Sequence, residues 1–183
     1  IRSSEATLGG GNVVDPYAKR HRRLHSPTLA RLAVLQEGTT EEVLLQALQS
    51  QEPLDLATLA QQTNISTDGI RSPLQQLIDQ GTVTVLGDGP LTSATVVLSS
   101  SGWATIQDMA RSALETYHRQ FPLRRGAPRE EIRGRLGVRT SIAGMVMQRL
   151  EEDGVLVVEE TWARLPDHKI APSKEQRRLL DDY

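Results

Sequence analysis

The sequence predicts a mainly α fold with small β hairpins, and three observations lead there. Apolar residues recur at helical spacing over most of the 183 positions. β-Branched runs are few and short, and they come in pairs around glycine-containing turns. One order of helices followed by a strand pair occurs twice.

Residues 1–16 read differently from the rest. Gly9, Gly10 and Gly11 separate short extended pieces, and a lone strand can neither pair its edges nor bury a face. This stretch is expected to be the tail of a preceding β domain. Residues 17–38 are read as a basic linker and helix. Ser26-Pro27 supplies a cap and a proline at the first helical position, and Leu29, Leu32, Ala33 and Leu35 give an apolar stripe up to Gly38.

Residues 39–100 hold the first repeat. A helix from about Thr40 to Gln49 carries Val43, Leu44, Ala47 and Leu48 on one side. Asp55 caps a short helix with Leu56, Leu59 and Ala60. After a break at Asn64-Ile65-Ser66, Ile70, Leu74, Leu77 and Ile78 mark a third helix ending at Gly81. Pro73 falls inside that helix and is expected to kink it or delay its start. Strands at 82–86 and 95–98 then flank the turn Gly87-Asp-Gly-Pro90. Helix, helix, turn, helix and hairpin is the winged-helix version of helix-turn-helix. Residues 101–166 repeat it: a long helix from Gly102 to Gln120, a short one at 128–136, a third capped by Thr140, and strands at 155–158 and 161–165. Residues 167–183 begin a link onward, with Ser173 as the cap of another helix. The expected architecture is thus a pair of tandem winged-helix domains.

Composition narrows the function. Cysteine is absent, which excludes disulfides, thiolate metal sites and a cysteine nucleophile, and favours the reducing cytoplasm. No apolar run approaches the ~20 residues of a membrane span, and residues 1–10 lack the features of a signal peptide. Six aromatic residues are too few for an RRM-like stacking surface. Charge is segregated. Residues 37–100 carry eight acids against Arg71, whereas Lys19, Arg20, Arg22, Arg23 and Arg31 stand before them. Arg119, Arg124, Arg125, Arg129, Arg133, Arg135 and Arg139 crowd the front of the second repeat. A polyanion should avoid the middle block and prefer its flanks.

Catalytic constellations are not expected. His21, His25, His118 and His168 lie in different segments with no i,i+4 pair, and no lysine follows a glycine as a GxxxxGK[ST] phosphate loop requires. The arginine cluster leaves two readings open. Glu130 and Glu131 pair with Arg133 and Arg135 on a solvated helix face, or the guanidinium forks meet phosphate. The candidate nucleic-acid contacts are Arg22, Arg23, Arg124, Arg125, Arg129, Arg133 and Arg139. In the first repeat the third helix offers Asp68, Gln75, Gln76 and Asp79 with only Arg71, which would repel phosphate.

Three stretches carry a family resemblance. Thr7-Leu-Gly-Gly-Gly-Asn-Val-Val-Asp-Pro16 with Lys19-Arg-His-Arg-Arg23 resembles the junction between the last barrel and the C-terminal extension of the bacterial selenocysteine-specific elongation factors, the SelB family. Tyr117-His-Arg-Gln-Phe-Pro-Leu-Arg-Arg-Gly-Ala-Pro-Arg-Glu-Glu-Ile-Arg-Gly-Arg-Leu136 is similar to the opening of its second winged-helix domain. Trp162-Ala-Arg-Leu-Pro-Asp-His-Lys169 with Ser173-Lys-Glu-Gln176 resembles the link to the third. The resemblance implies a fragment of a GTPase that delivers selenocysteinyl-tRNA to the ribosome, with GTP and Mg held by domains outside this chain. It implies no cofactor and no catalytic or metal-binding residue here, and an mRNA hairpin gripped mainly by a later domain. The expected partners are the ribosome and RNA, with no membrane. The competing expectation is a tandem winged-helix DNA-binding or chromosome-associated protein, which needs a recognition helix presented to a major groove. A protein-interaction scaffold without nucleic-acid contact is the third.

Overall fold

The computed structural model describes residues 38–170, together with positions 20, 26, 28, 29, 32 and 33. The expected β tail at 1–16, most of the basic linker, including Arg22 and Arg23, and the helix expected after Ser173 lie outside the described residues. Ser26, Thr28, Leu29, Leu32 and Ala33 are helical.

Two units follow one another with the same element order. The first comprises α1 (Thr40–Ser50), β1 (Leu54–Asp55), α2 (Leu56–Thr63), α3 (Thr67–Asp79), β2 (Val83–Leu86) and β3 (Val96–Ser99). The second comprises α4 (Ser100–Gln120), β4 (Ala127–Pro128), α5 (Arg129–Arg135), α6 (Thr140–Glu152), β5 (Val157–Glu159) and β6 (Trp162–Arg164). Each hairpin gains a third strand that periodicity did not reveal, giving antiparallel sheets ordered β1-β3-β2 and β4-β6-β5. Two-residue strands such as β1 and β4 are too short to carry an alternation signal.

Local chemistry explains the helix boundaries. Thr39 and Glu42 form a reciprocal capping box at α1. Asp55 accepts from the Thr58 N–H at 2.8 Å to start α2, and Ser66 accepts from Gly69 to start α3. Pro73 does not delay α3, which begins at Thr67 and runs through the proline; lacking an N–H, Pro73 gives no bond to the Gly69 carbonyl. Thr140 is not the cap of α6 but its first residue. Arg139 occupies the cap position without a side-chain bond. Gly81 and Gly154 take φ of +70° and +68° just past α3 and α6. In both places the next N–H returns to the helix, Thr82 to Leu77 and Val155 to Leu150. The same left-handed stop is used twice.

The first core gathers Leu44 and Leu48 of α1, Leu54, Leu56, Leu59, Ile70, Leu74, Leu77, Val83 and Val97. The second gathers Trp103, Ile106, Leu114, Tyr117, Ile132, Val146, Met147 and Leu150, but also Leu86, Val96 and Leu98 from the first unit's hairpin. Successive strand side chains point to opposite faces. Val97 therefore serves its own unit while Val96 and Leu98 serve the next, and all four residues of β3 are buried. Met145 of α6 packs against this shared core, and α6 lies against β2.

No loop separates the units, because β3 ends at Ser99 and α4 begins at Ser100. Ser99 caps α4 by accepting from Gly102, and the Glu52 carboxylate accepts from both the Ser99 N–H (2.6 Å) and its hydroxyl (2.9 Å). A Cβ at Gly102 would collide with that carboxylate, so glycine belongs here.

Leu98→Ala empties a fully buried position at the junction and should cost about 2–5 kcal/mol. Both tryptophans lie in the second unit. Urea unfolding followed by tryptophan emission should therefore coincide with far-UV circular dichroism, which reports the whole chain. Two separated transitions would show that the junction does not couple the units.

Candidate nucleic-acid interface

The arginine-rich front of the second unit runs from the end of α4 through β4 into α5. The turn after α4 is built on an aromatic step. Tyr117 packs against Phe121 with ring centres 4.8 Å apart. Arg124 folds back so that its guanidinium donates to the Tyr117 hydroxyl at 2.7 Å and lies 4.5 Å over the Phe121 ring. Arg124 thus has a structural task. Its neighbour Arg125 is exposed.

Helix α5 satisfies its own charges. Arg133 pairs with Glu130 at 2.7 Å and Arg135 with Glu131 at 2.7 Å, spaced three and four residues apart. Arg139 reaches back to the first unit, where its guanidinium is 3.4 Å from the Pro53 carbonyl. Burial works against the Asp55 charge, yet hydrogen bonds from Thr58 outweigh it, and Arg139 adds to them. The carboxyl is held below its ordinary range. Arg129 is half-buried; its backbone N–H donates to the Thr161 carbonyl at 2.8 Å, and its Nε is buried without a partner. Among the described residues, Arg125 and Arg129 have no ion pair. The sequence-predicted set therefore divides: Arg125 and Arg129 are charged groups left over by the fold, whereas Arg124, Arg133 and Arg139 are already engaged.

Helix α3 of the first unit keeps its acidic face. Asp68, Arg71, Gln75, Gln76 and Asp79 are exposed, with Arg71 beside Asp68 at 3.6 Å and Gln75 bonded to Asp79. Helix α6, the recognition-helix position of the second unit, lies against β2 through Met145. A major groove needs an open helix face with readable side chains. One of these helices is acidic; the other packs in part on the neighbouring unit and exposes only Thr140, Ser141 and Gln148 beside the acids Glu151 and Glu152, so neither helix offers a cationic face to a major groove.

Two imidazoles that the sequence leaves in separate segments come together. His118 of α4 and His168, beyond β6, stack with ring centres 3.5 Å apart and planes 9° from parallel. The Leu165 N–H donates to His118 Nε2 at 3.3 Å, and His168 Nε2 lies 3.1 Å from the Arg124 carbonyl. They pin the segment leaving β6 onto the end of α4, beside an open cleft of 610 Å³ that Arg111, Glu115 and Arg119 also line. Burial pushes His118 down to about 4, helped by His168 and Arg164. Spacing gave no sign of this pair, because it forms across 50 residues of chain. No group of three or more His, Asp or Glu able to hold a metal occurs among the described residues, and none of their helices is long and apolar enough to cross a membrane.

Comparison with known proteins bears on this geometry. Residues 111–165 match the family model described as elongation factor SelB, winged helix. A selenocysteine-specific elongation factor of Desulfomicrobium baculatum is 27% identical over 182 residues, covering 94% of this chain and 27% of the relative. The chain is similar to SelB factors over nearly its whole length. The selenocysteine-specific elongation factor of Escherichia coli K12 is 26% identical over 180 residues, covering 97% of this chain and again 27% of the relative. The chain spans about a quarter of the length of these SelB relatives. A solved structure of the mRNA-binding domain of E. coli SelB in complex with SECIS RNA superposes with a TM-score of 0.52, covering 69% of this chain and 97% of that one. At 18% identity that likeness is one of fold. The matched SelB segment is a winged-helix domain, and the sequence contains no GxxxxGK[ST] loop to cradle GTP.

The depressed His118 pKa makes folding pH-dependent. An unfolded chain takes up a proton at this ring near pH 6.5, whereas the folded one resists until about 4. The stabilisation is complete above pH 6.5 and is lost as pH falls toward 4, on the order of 3 kcal/mol in all. Urea midpoints measured from pH 7.5 to 4 should fall more steeply for the parent chain than for His118→Gln, whose side-chain oxygen still accepts from Leu165. Parallel curves would refute this assignment.

Proposed function

We infer that this chain is the C-terminal winged-helix arm of a selenocysteine-specific elongation factor. It supports delivery of selenocysteinyl-tRNA to the ribosome in selenoprotein synthesis and touches RNA without reading sequence. The observation that carries this reading is the clamped first hairpin: a strand pair buried on both faces joins two winged helices without a loop, as a spacer must. The two SelB relatives support the context, since each aligns with nearly the whole chain. The solved SelB neighbour is described with SECIS RNA. In this reading the mRNA hairpin and the GTP with its Mg belong to other parts of the factor, which acts in the cytoplasm.

RNA contact falls to the arginine-rich front. Arg125 and Arg129 meet phosphate directly, while Arg124, Arg133 and Arg139, already paired, add to the local positive potential. Arg22 and Arg23 remain candidate contacts by sequence alone. The acidic α3 keeps the first unit clear of the backbone.

With about two phosphates engaged on a single strand, log affinity should fall with log salt at a slope of roughly −1.4, against about −3.5 if all five arginines of the second unit released counterions. A short labelled RNA titrated into the 183-residue chain at several salt concentrations measures that slope. Arg125→Glu with Arg129→Glu should abolish binding at moderate salt, whereas Arg71→Glu should leave it unchanged. No binding at low salt, or binding that survives the double reversal, would end the RNA-contact reading.

A further inference from the structure

Trp162 is a large aromatic left partly exposed on the second hairpin. Strand register equates the two sheets residue by residue. Val97 pairs with Leu54 and Val85, and Ala163 pairs with Ala127 and Val158, all toward their own cores. One step along, Val96 corresponds to Trp162, Leu86 to Glu159, and Leu98 to Arg164. In the first unit this second face is apolar and covered by the second unit. In the second unit the same face is open: Trp162 is 42% exposed, and the two leucines are replaced by a Glu159–Arg164 ion pair at 3.0 Å.

The surroundings of this ring are basic on one side. Pro128 of β4 pairs with Trp162, Arg129 follows it in the chain, and Arg125 stands two residues before β4. Arg164 neutralises Glu159, while Glu160 at the tip of the hairpin and Glu151, which accepts from the Val158 N–H at 3.0 Å, are the opposing carboxylates on its other side.

We propose that the open face of the second hairpin, centred on Trp162 and flanked by Arg125 and Arg129, is a stacking site for one unpaired RNA base. The proposal deepens the RNA-contact reading and rests on it. Any base offers a π face, so a ring of this kind binds without sequence preference, and a neighbouring guanidinium takes the adjoining phosphate. An RRM-like platform needs several rings, but one stacked base needs one.

The test uses the 183-residue chain and a short labelled oligoadenylate RNA at low salt, with tryptophan emission and RNA anisotropy recorded together. Trp103 is buried and donates to Asp153 at 2.7 Å, so quenching reports Trp162. Quenching should saturate along the anisotropy curve. Trp162→Ala, a surface change with an unaltered far-UV spectrum, should lose the quenching and bind about tenfold more weakly. Trp162→Phe should stay within a few-fold of the parent, and a duplex of the same length should give no quenching. Anisotropy binding without quenching, or parental affinity in Trp162→Ala, would overturn the stacking site while leaving the arginine contact standing. Absence of binding by both readouts would remove both.

Discussion

The two-sided burial of β3 is the constraint on which the rest depends. Its four residues have no solvent-facing side: Val97 closes the first core, and Val96 and Leu98 close the second. Neither unit is finished without that strand. Because β3 runs straight into α4, the strand that completes the first sheet also fixes the start of the helix around which the second unit is built. Glu52 reinforces the join by accepting from Ser99 at the cap, so charge, capping and apolar burial meet within a few residues.

Much of this was legible in the residues themselves. Helical periodicity located the helices, Asp55 announced the start of α2, and the duplicated order pointed to the tandem architecture; that Ser66, read as part of a break, caps α3 emerged only from the structure. The shared core was also written in the chain, as contrast. Val96-Val-Leu98 is a continuous apolar run, the mark of a strand covered on both faces, whereas Trp162-Ala-Arg164 alternates as a strand with one open face does. What stayed hidden depends on contacts distant in sequence. The His118–His168 stack, the hold of Arg139 on Pro53 and the two-residue strands β1 and β4 have no local periodicity to betray them.

The arginine cluster shows why counting charges overstates an interface. Five candidate contacts lie in the described part of the second unit, and the fold itself employs three of them: one on Tyr117 and Phe121, one on Glu130 and one on the first unit. Pairing lowers their value as free cations, since a paired guanidinium must give up a partner before it can grip another. The surplus sits at Arg125 and Arg129, beside the exposed ring of the second hairpin. Sequence located the cluster, while geometry separates its paired members from its unpaired ones.

The loop-free passage from Ser99 to Ser100 has a consequence for how such a chain can vary. A helix turns about 100° and rises 1.5 Å per residue. One residue inserted at this point would swing every downstream side chain a quarter-turn or more off its seat. The hairpin tip at Gly87 and Gly89, with φ of +90° and +120°, bears no such load. Length changes are therefore tolerable at the tip and ruinous at the seam, which behaves as a keyed coupling rather than a tether.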